Sequence, residues 1–176
     1  MASKTRIPKK VGRPTLDESG FGDYERELKN TVLRHTKPLM PAVIKGMADL
    51  PDHELLLLSR ISDSRRHELQ ALAPTGAKVE FLNGVTDKQY HELLSSSVAL
   101  VTGSRDEGFG IPLVESMSRG IPIVVSNIPI FKEIGGDAAI YFDQDDAKAF
   151  AKAVKSLDSE SAWLAKSKLS GTSQEI

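Results

Sequence analysis

The chain has 176 residues, 40 % of them apolar and 27 % charged, with a formal net charge of −1. That is the length of one domain with enough apolar residues for a core, and the near-neutral balance gives no overall field to draw nucleic acid or an anionic membrane. The absence of cysteine excludes disulfides and thiol chemistry, no apolar run reaches the ~20 residues of a membrane-spanning helix, and His35, His53, His67 and His91 are scattered without a ligand spacing, so no metal is expected.

Residues 1–30 read as a basic and charged leader. Lys4, Arg6, Lys9, Lys10 and Arg13 precede the first acid, Asp17. With few apolar residues, this stretch is expected to be unfolded by itself. It lacks the apolar core of a signal peptide, and the expected compartment is the cytoplasm. Residues 31–170 alternate between helix and strand patterns. Pro38 to Asp49 reads as a helix weakened by Pro41 and Gly46, and Leu55 to Ser59 as a strand. Asp63 to Leu72 is a helix with Ser62 as its cap, and Val79 to Leu82 a strand. Thr86 to Ser95 is a helix whose Thr86 and Gln89 have capping-box spacing. Val98 to Thr102 is an apolar, branched run that reads as a buried strand. After a helix that starts near Pro112 comes a second buried strand, Ile121 to Val125. Ile128 to Ile134 is a short helix, Ala139 to Phe142 a strand, Asp146 to Leu157 a helix, and a last helix runs through Trp163. Residues 171–176 form a polar tail. Such alternation predicts an α/β fold with a doubly wound, mostly parallel sheet, whose right-handed crossovers put all strand carboxyl ends on one side.

The chemistry concentrates between Ser104 and Ser126. Gly103 to Gly110 is a loop at the carboxyl end of a strand, where ligands bind in open parallel sheets. Pro112 suits the first position of a helix, where a missing N–H costs nothing, and Gly120 is the expected stop. A helix N-terminus offers unpaired N–H groups and partial positive charge to a phosphate. Gly108 and Gly110 let the backbone approach a ligand closely. Carboxylates repel phosphate but accept hydrogen bonds strongly from sugar hydroxyls. Glu107 before the turn and Glu115 in the first helical turn would therefore bracket a phosphate, each facing a hydroxylated ring. A nucleotide sugar has that layout: ribose, pyrophosphate, hexose. Each Glu alone also has a plainer explanation, since the helix dipole favours an acid in the first turn and a Glu beside a Gly turn is ordinary surface chemistry.

The segment Glu107-Gly108-Phe109-Gly110, with Glu115 after seven intervening residues and then Gly120-Ile-Pro-Ile-Val-Val125, resembles the C-terminal domains of GT-B glycosyltransferases, in particular the large family 4 of retaining enzymes. The resemblance extends over Phe131 to Phe142 and upstream over Val79 to Asp87. It implies a Rossmann-like half of a GT-B fold that binds a nucleoside diphosphate sugar. Carried over, Glu107 is the expected catalytic-centre residue, binding hexose hydroxyls near the reacting carbon. Backbone groups of Gly108, Phe109, Gly110 and Ile111 would hold sugar and phosphates, and Glu115 the ribose. Arg34 and Lys37 are the candidates for the family's pyrophosphate-binding Arg and Lys. The pattern departs here: Arg34 follows Val32-Leu33 instead of Val-Gly, and Leu55 to Leu58 runs into Ser59-Arg60 where the family has a Gly.

In this family an acceptor domain precedes the donor domain, and only the leader precedes it here. The implied function is hexose transfer from a nucleoside diphosphate sugar to an acceptor hydroxyl with retention, incomplete without an acceptor domain. Three arrangements fit: a domain of a larger transferase, a partner to a separate acceptor-domain subunit, or a non-catalytic nucleotide-sugar-binding subunit or remnant. A full enzyme of this kind would associate peripherally with membranes. No cofactor beyond the donor substrate is expected, and the acceptor is not legible.

Overall fold

A run such as Leu55-Leu-Leu-Leu58 looks uniformly apolar in sequence, but successive side chains of a strand point to opposite faces. The computed structural model, which describes residues 29–34 (backbone alone), 41–58, 61–105 and 110–172, sorts these runs into two stripes. Its strands are β1 (Lys29–Arg34), β2 (His53–Leu58), β3 (Lys78–Leu82), β4 (Ala99–Thr102), β5 (Ile123–Ser126) and β6 (Ala139–Phe142). They form one six-stranded sheet in the order β3-β2-β1-β4-β5-β6. All five pairings are parallel. Leu55 and Leu57 fall in one core with Ala99, Val101 and Val124, whereas Leu56 and Leu58 join the opposite core with Leu100, Ile123 and Val125. Burial on both faces is the usual condition of a parallel sheet.

The helices are α1 (Pro41–Gly46), α2 (Asp63–Ala71), α3 (Asp87–Ser95), α4 (Ile111–Ser118), α5 (Pro129–Gly135), α6 (Ala147–Lys155) and α7 (Glu160–Thr172). The first core takes Val43 and Ile44 of α1, Leu69 of α2, Phe150 and Val154 of α6, and Trp163 of α7. The second takes Tyr90, Leu93 and Leu94 of α3, Leu113 and Met117 of α4, and Phe131 of α5. Helices on both faces of a parallel sheet make the doubly wound, Rossmann-like architecture expected from the sequence.

Local signals set the helix ends. The Ser62 hydroxyl accepts from the Arg65 N–H at 3.2 Å. Thr86 and Gln89 form the expected capping box, with Gln89 N–H on Thr86 Oγ1 at 3.3 Å and Thr86 N–H on Gln89 Oε1 at 2.9 Å. Asp146 caps α6 through the Lys148 and Ala149 N–H groups, each at 2.9 Å. Helix α4 closes on Gly120, whose φ is 64°. Gly120 N–H reaches the Met117 carbonyl at 2.9 Å and Ile121 N–H the Ser116 carbonyl at 3.0 Å, the two bonds of a Schellman stop. Helix α7 is pinned by Trp163, whose indole N–H donates to the Val98 carbonyl at 2.9 Å.

Two expectations are corrected. Strand β1 begins at Lys29, inside the stretch read as leader; with Val32-Leu33 as its only adjacent large apolar pair, it carries no periodic signal, and its neighbours β2 and β4 supply its place. Pro41 and Gly46 do not weaken a longer helix but bound a short one. Pro41 opens it, and Gly46 lets it close on α6, because a Cβ there would stand 2.6 Å from Phe150 Cδ1 and 2.7 Å from the Ala147 carbonyl. Expectations for residues 1–28 and for the tail from residue 173 lie outside the described residues. Among the described residues, no helix is long and apolar enough to cross a membrane.

Candidate functional site

The strand order reverses between β1 and β4. Chains leaving the two strands turn to opposite faces of the sheet, and a crevice opens at their carboxyl ends. Arg34 ends β1, one residue beyond Leu33, which is in register with Val101 of β4. Thr102 ends β4, and Gly103 starts the loop toward α4. The fold thus brings the end of β1 at Arg34 beside the exit of β4 at Gly103 and Ser104, although 70 residues of sequence separate Arg34 from Ser104. Lys37, Glu107, Gly108 and Phe109 lie outside the described residues. Gly110, Ile111 and Glu115 are described.

Gly110 is the N-cap of α4, with φ 64° and ψ 39°. This left-handed conformation favours glycine, and the packing agrees: a Cβ would stand 3.2 Å from Ile134 Cδ1 and 3.4 Å from Phe131 Cε1 of α5. Leu113 N–H turns back to the Gly110 carbonyl at 2.9 Å, and Pro112 has no N–H. The Gly110 and Ile111 N–H groups therefore stand at the leading end of α4, where the helix dipole is positive. The helix starts at Ile111, so Pro112 takes its second position and not the first; its missing N–H is still one of those a helix start leaves unused.

Glu115 is the fifth residue of α4, and no acid occupies the first turn. The expected first-turn placement is thus corrected, and the helix dipole loses its hold as a plainer explanation for this residue. Ile111 and Val114 are exposed, Leu113 and Met117 are buried, and Glu115 is half-buried between the two faces. Residues four apart share a stripe, and helical side chains lean toward the N-terminus. Glu115 therefore lies over the turn of Ile111, the first turn of α4. Its backbone carbonyl accepts from the Ser118 hydroxyl at 2.8 Å and the Arg119 guanidinium at 2.9 Å.

Several polar residues at this edge were not singled out by sequence. Thr102, Ser104 and Ser126 are all buried. Ser126 Oγ donates to the Ser104 carbonyl at 2.5 Å, and Arg105 is paired with Asp145 in the turn after β6. The available signal was a hydroxyl residue closing each of two buried apolar strands. Behind α4, the Tyr141 hydroxyl lies 2.9 Å from the Gly136 carbonyl and 3.2 Å from that of Phe131, tying down the helix on which Gly110 rests. Burial, and secondarily the Asp137 carboxylate, raises the Tyr141 phenol above its ordinary pKa.

Comparison with known proteins agrees with this fold. The sequence profile of the family described as "Glycosyl transferases group 1" matches residues 37–168. The O-antigen chain mannosyltransferase RfbU of Salmonella typhimurium is 42 % identical over 81 residues, which are 46 % of this chain and 23 % of that protein. The GDP-mannose:cellobiosyl-diphosphopolyprenol alpha-mannosyltransferase of Xanthomonas oryzae is 30 % identical over 133 residues, 73 % of this chain and 34 % of that protein. The chain therefore spans well under two thirds of these relatives. Among solved structures, the catalytic domain of the cholesterol-alpha-glucosyltransferase from Helicobacter pylori superposes with a TM-score of 0.69 at 21 % identity, covering 83 % of this chain and 96 % of that one; at such identity the likeness concerns the fold. With its matched stretch covering most of the sequence and its sheet of the GT-B type, the chain belongs to the glycosyl transferases group 1 family.

Proposed function

We propose that this chain is the donor-binding domain of a retaining glycosyltransferase that moves a hexose from a nucleoside diphosphate sugar to an acceptor hydroxyl, and that it acts together with an acceptor domain. The observation that supports this reading is the strand-order reversal, with Arg34 at the end of β1 and the left-handed Gly110 cap of α4 after β4. In this reading the Gly108 to Ile111 backbone and the leading end of α4 take the diphosphate, Glu115 the ribose hydroxyls, and Glu107 the hexose hydroxyls. Arg34 and Lys37 neutralise the diphosphate.

Retention follows from attack on the face that the diphosphate leaves. The bond from the anomeric carbon to the diphosphate oxygen breaks as the acceptor oxygen bonds to the same face, and the acceptor's proton passes to the departing phosphate. Charge gathers on the leaving group, so fixed N–H groups and cations aimed at it stabilise the transition state. Glu107 positions the sugar and forms no bond to it. The relatives named as mannosyltransferases, one of them for GDP-mannose, support mannose on GDP as the first donor to test.

Calorimetric titration of the chain with GDP, UDP and their mannose and glucose conjugates tests the proposal. One nucleotide should bind, and its sugar conjugate should bind more tightly. A folded chain that binds none of them would refute a self-sufficient donor site.

A further inference from the structure

Helix α7 is held in two different ways along its length. Its start is fixed by burial. Trp163 belongs to the first core, with Leu164 partly buried against it, and the indole N–H donates to the Val98 carbonyl at 2.9 Å. The Ser159 hydroxyl and carbonyl accept from the Ala162 and Trp163 N–H groups at 3.3 and 3.0 Å. From Ala165 onward, no described residue of α7 joins either apolar core. That half is held by polar side chains on backbone carbonyls. Lys166 Nζ donates to the Asp137 carbonyl at 2.7 Å and to that of Ala139 at 3.3 Å, and Ser167 Oγ donates to the Gly120 carbonyl at 2.6 Å.

These carbonyls lie at two junctions of the chain. Gly120 follows α4, and Asp137 and Ala139 lead from α5 into β6. The second half of α7 therefore joins the trailing ends of α4 and α5. At the leading end of α4 the same two helices meet where Gly110 packs on Phe131 and Ile134.

The energetics favour easy release of this half. Lys166 and Ser167 are half-buried, so water takes over their bonds when they part, and the net loss per bond is modest. Ser170, one turn beyond Ser167 on the same side of the helix, is wholly buried, and its hydroxyl has no hydrogen-bond partner among the described residues. A buried hydroxyl without a partner opposes the closed position, because opening returns it to water. Helix α7 thus combines an apolar anchor with a polar latch that closes against a desolvated group.

We infer that residues 165–172 of α7 form a releasable strap, which swings on the Trp163 anchor and, when closed, holds the trailing ends of α4 and α5 together. The strap opens as one unit, because the Lys166 and Ser167 bonds and the buried Ser170 lie on adjacent turns. The inference stands apart from the donor-site reading.

Native-state amide hydrogen exchange on the full chain tests it. Residues 166–172 should share one opening step and exchange faster than Trp163 and strand β4. Lys166→Met, which keeps the stem and removes the ammonium, and Ser167→Ala should each speed exchange across 166–172 by about fivefold to tenfold, the worth of roughly one hydrogen bond. Exchange at residues 119–121 should rise with it, while β4 stays within about twofold of wild type, as expected of a local opening. Ser170→Ala removes the unpartnered hydroxyl and should slow the same amides of α7. Protection that declines steadily from Trp163 to Thr172 would mean ordinary fraying of a helix end and overturn the strap. Exchange at the rate of β4 throughout α7 would overturn it as well, and so would a loss spread evenly over the whole chain in the Lys166 and Ser167 variants. Faster exchange in Ser170→Ala would refute the opposing role of that hydroxyl.

Discussion

Replacing Gly110 with alanine probes the cap on which the site depends. The φ of 64° places a Cβ against the following backbone, at a cost of roughly 1–2 kcal/mol. The new Cβ would also meet Ile134 Cδ1 at 3.2 Å and Phe131 Cε1 at 3.4 Å. The nearer atom is the tip of a flexible side chain, so turning it aside adds only about 0.5 kcal/mol. Against this, alanine narrows the unfolded ensemble and returns about 0.4–1 kcal/mol. A net loss of about 0.5–2 kcal/mol remains, which for a domain of this size lowers the melting temperature by roughly 1–8 °C. Urea and thermal unfolding of Gly110→Ala beside wild type measures it. Asparagine, which enters the left-handed region more readily, should lose less than alanine at the same position. Equal or greater stability of the alanine variant would refute the left-handed cap and, with it, the placement of the N–H groups at the start of α4.

Glu115→Ala should weaken nucleotide binding by about 1–3 kcal/mol, the range for hydrogen bonds to a charged group; unchanged affinity for both GDP and UDP in calorimetry would remove the ribose role. Glu107→Ala should spare the bare nucleotide and weaken the nucleotide sugar, and equal effects on the two ligands would contradict a hexose role. The Tyr141 phenol is raised above 10.0 by burial first and by Asp137 second. Below that pH the group is neutral in both folded and unfolded chains. Above it the unfolded chain ionises first, so stability falls as pH rises through the folded-state value. Tyr141→Phe should flatten this alkaline decline, and a tyrosinate absorbance titration that assigns Tyr141 an ordinary pKa would refute the assignment.

Much of the fold was legible because its signals are local. The capping residues Ser62 and Thr86 needed only the helix beginning beside them. Gly120 marked a stop through its conformational freedom, and the apolar runs of β2, β4 and β5 marked buried strands through their composition. The spacing of Glu107, Gly110 and Glu115 likewise lies within one loop and one helix, so it survived as a motif. Strand β1 was less legible, because its place comes from parallel pairing on both sides and not from its own sequence. The role of Gly46 was hidden for a similar reason: the atoms that exclude a side chain there belong to Phe150 and Ala147, a hundred residues away.

The amino-acid sequence by itself therefore determined the order and kind of most elements and the family to which the motif points, since these depend on residues close together in the chain. The tertiary structure alone decided that the strand order reverses between β1 and β4, bringing the end of β1 at Arg34 beside the exit of β4. It alone decided that Ser126 meets the Ser104 carbonyl and Asp145 the Arg105 guanidinium at the exit of β4. Strand order and inter-element contacts are set by how whole helices and strands bury their faces against one another, and no short window of sequence contains that balance.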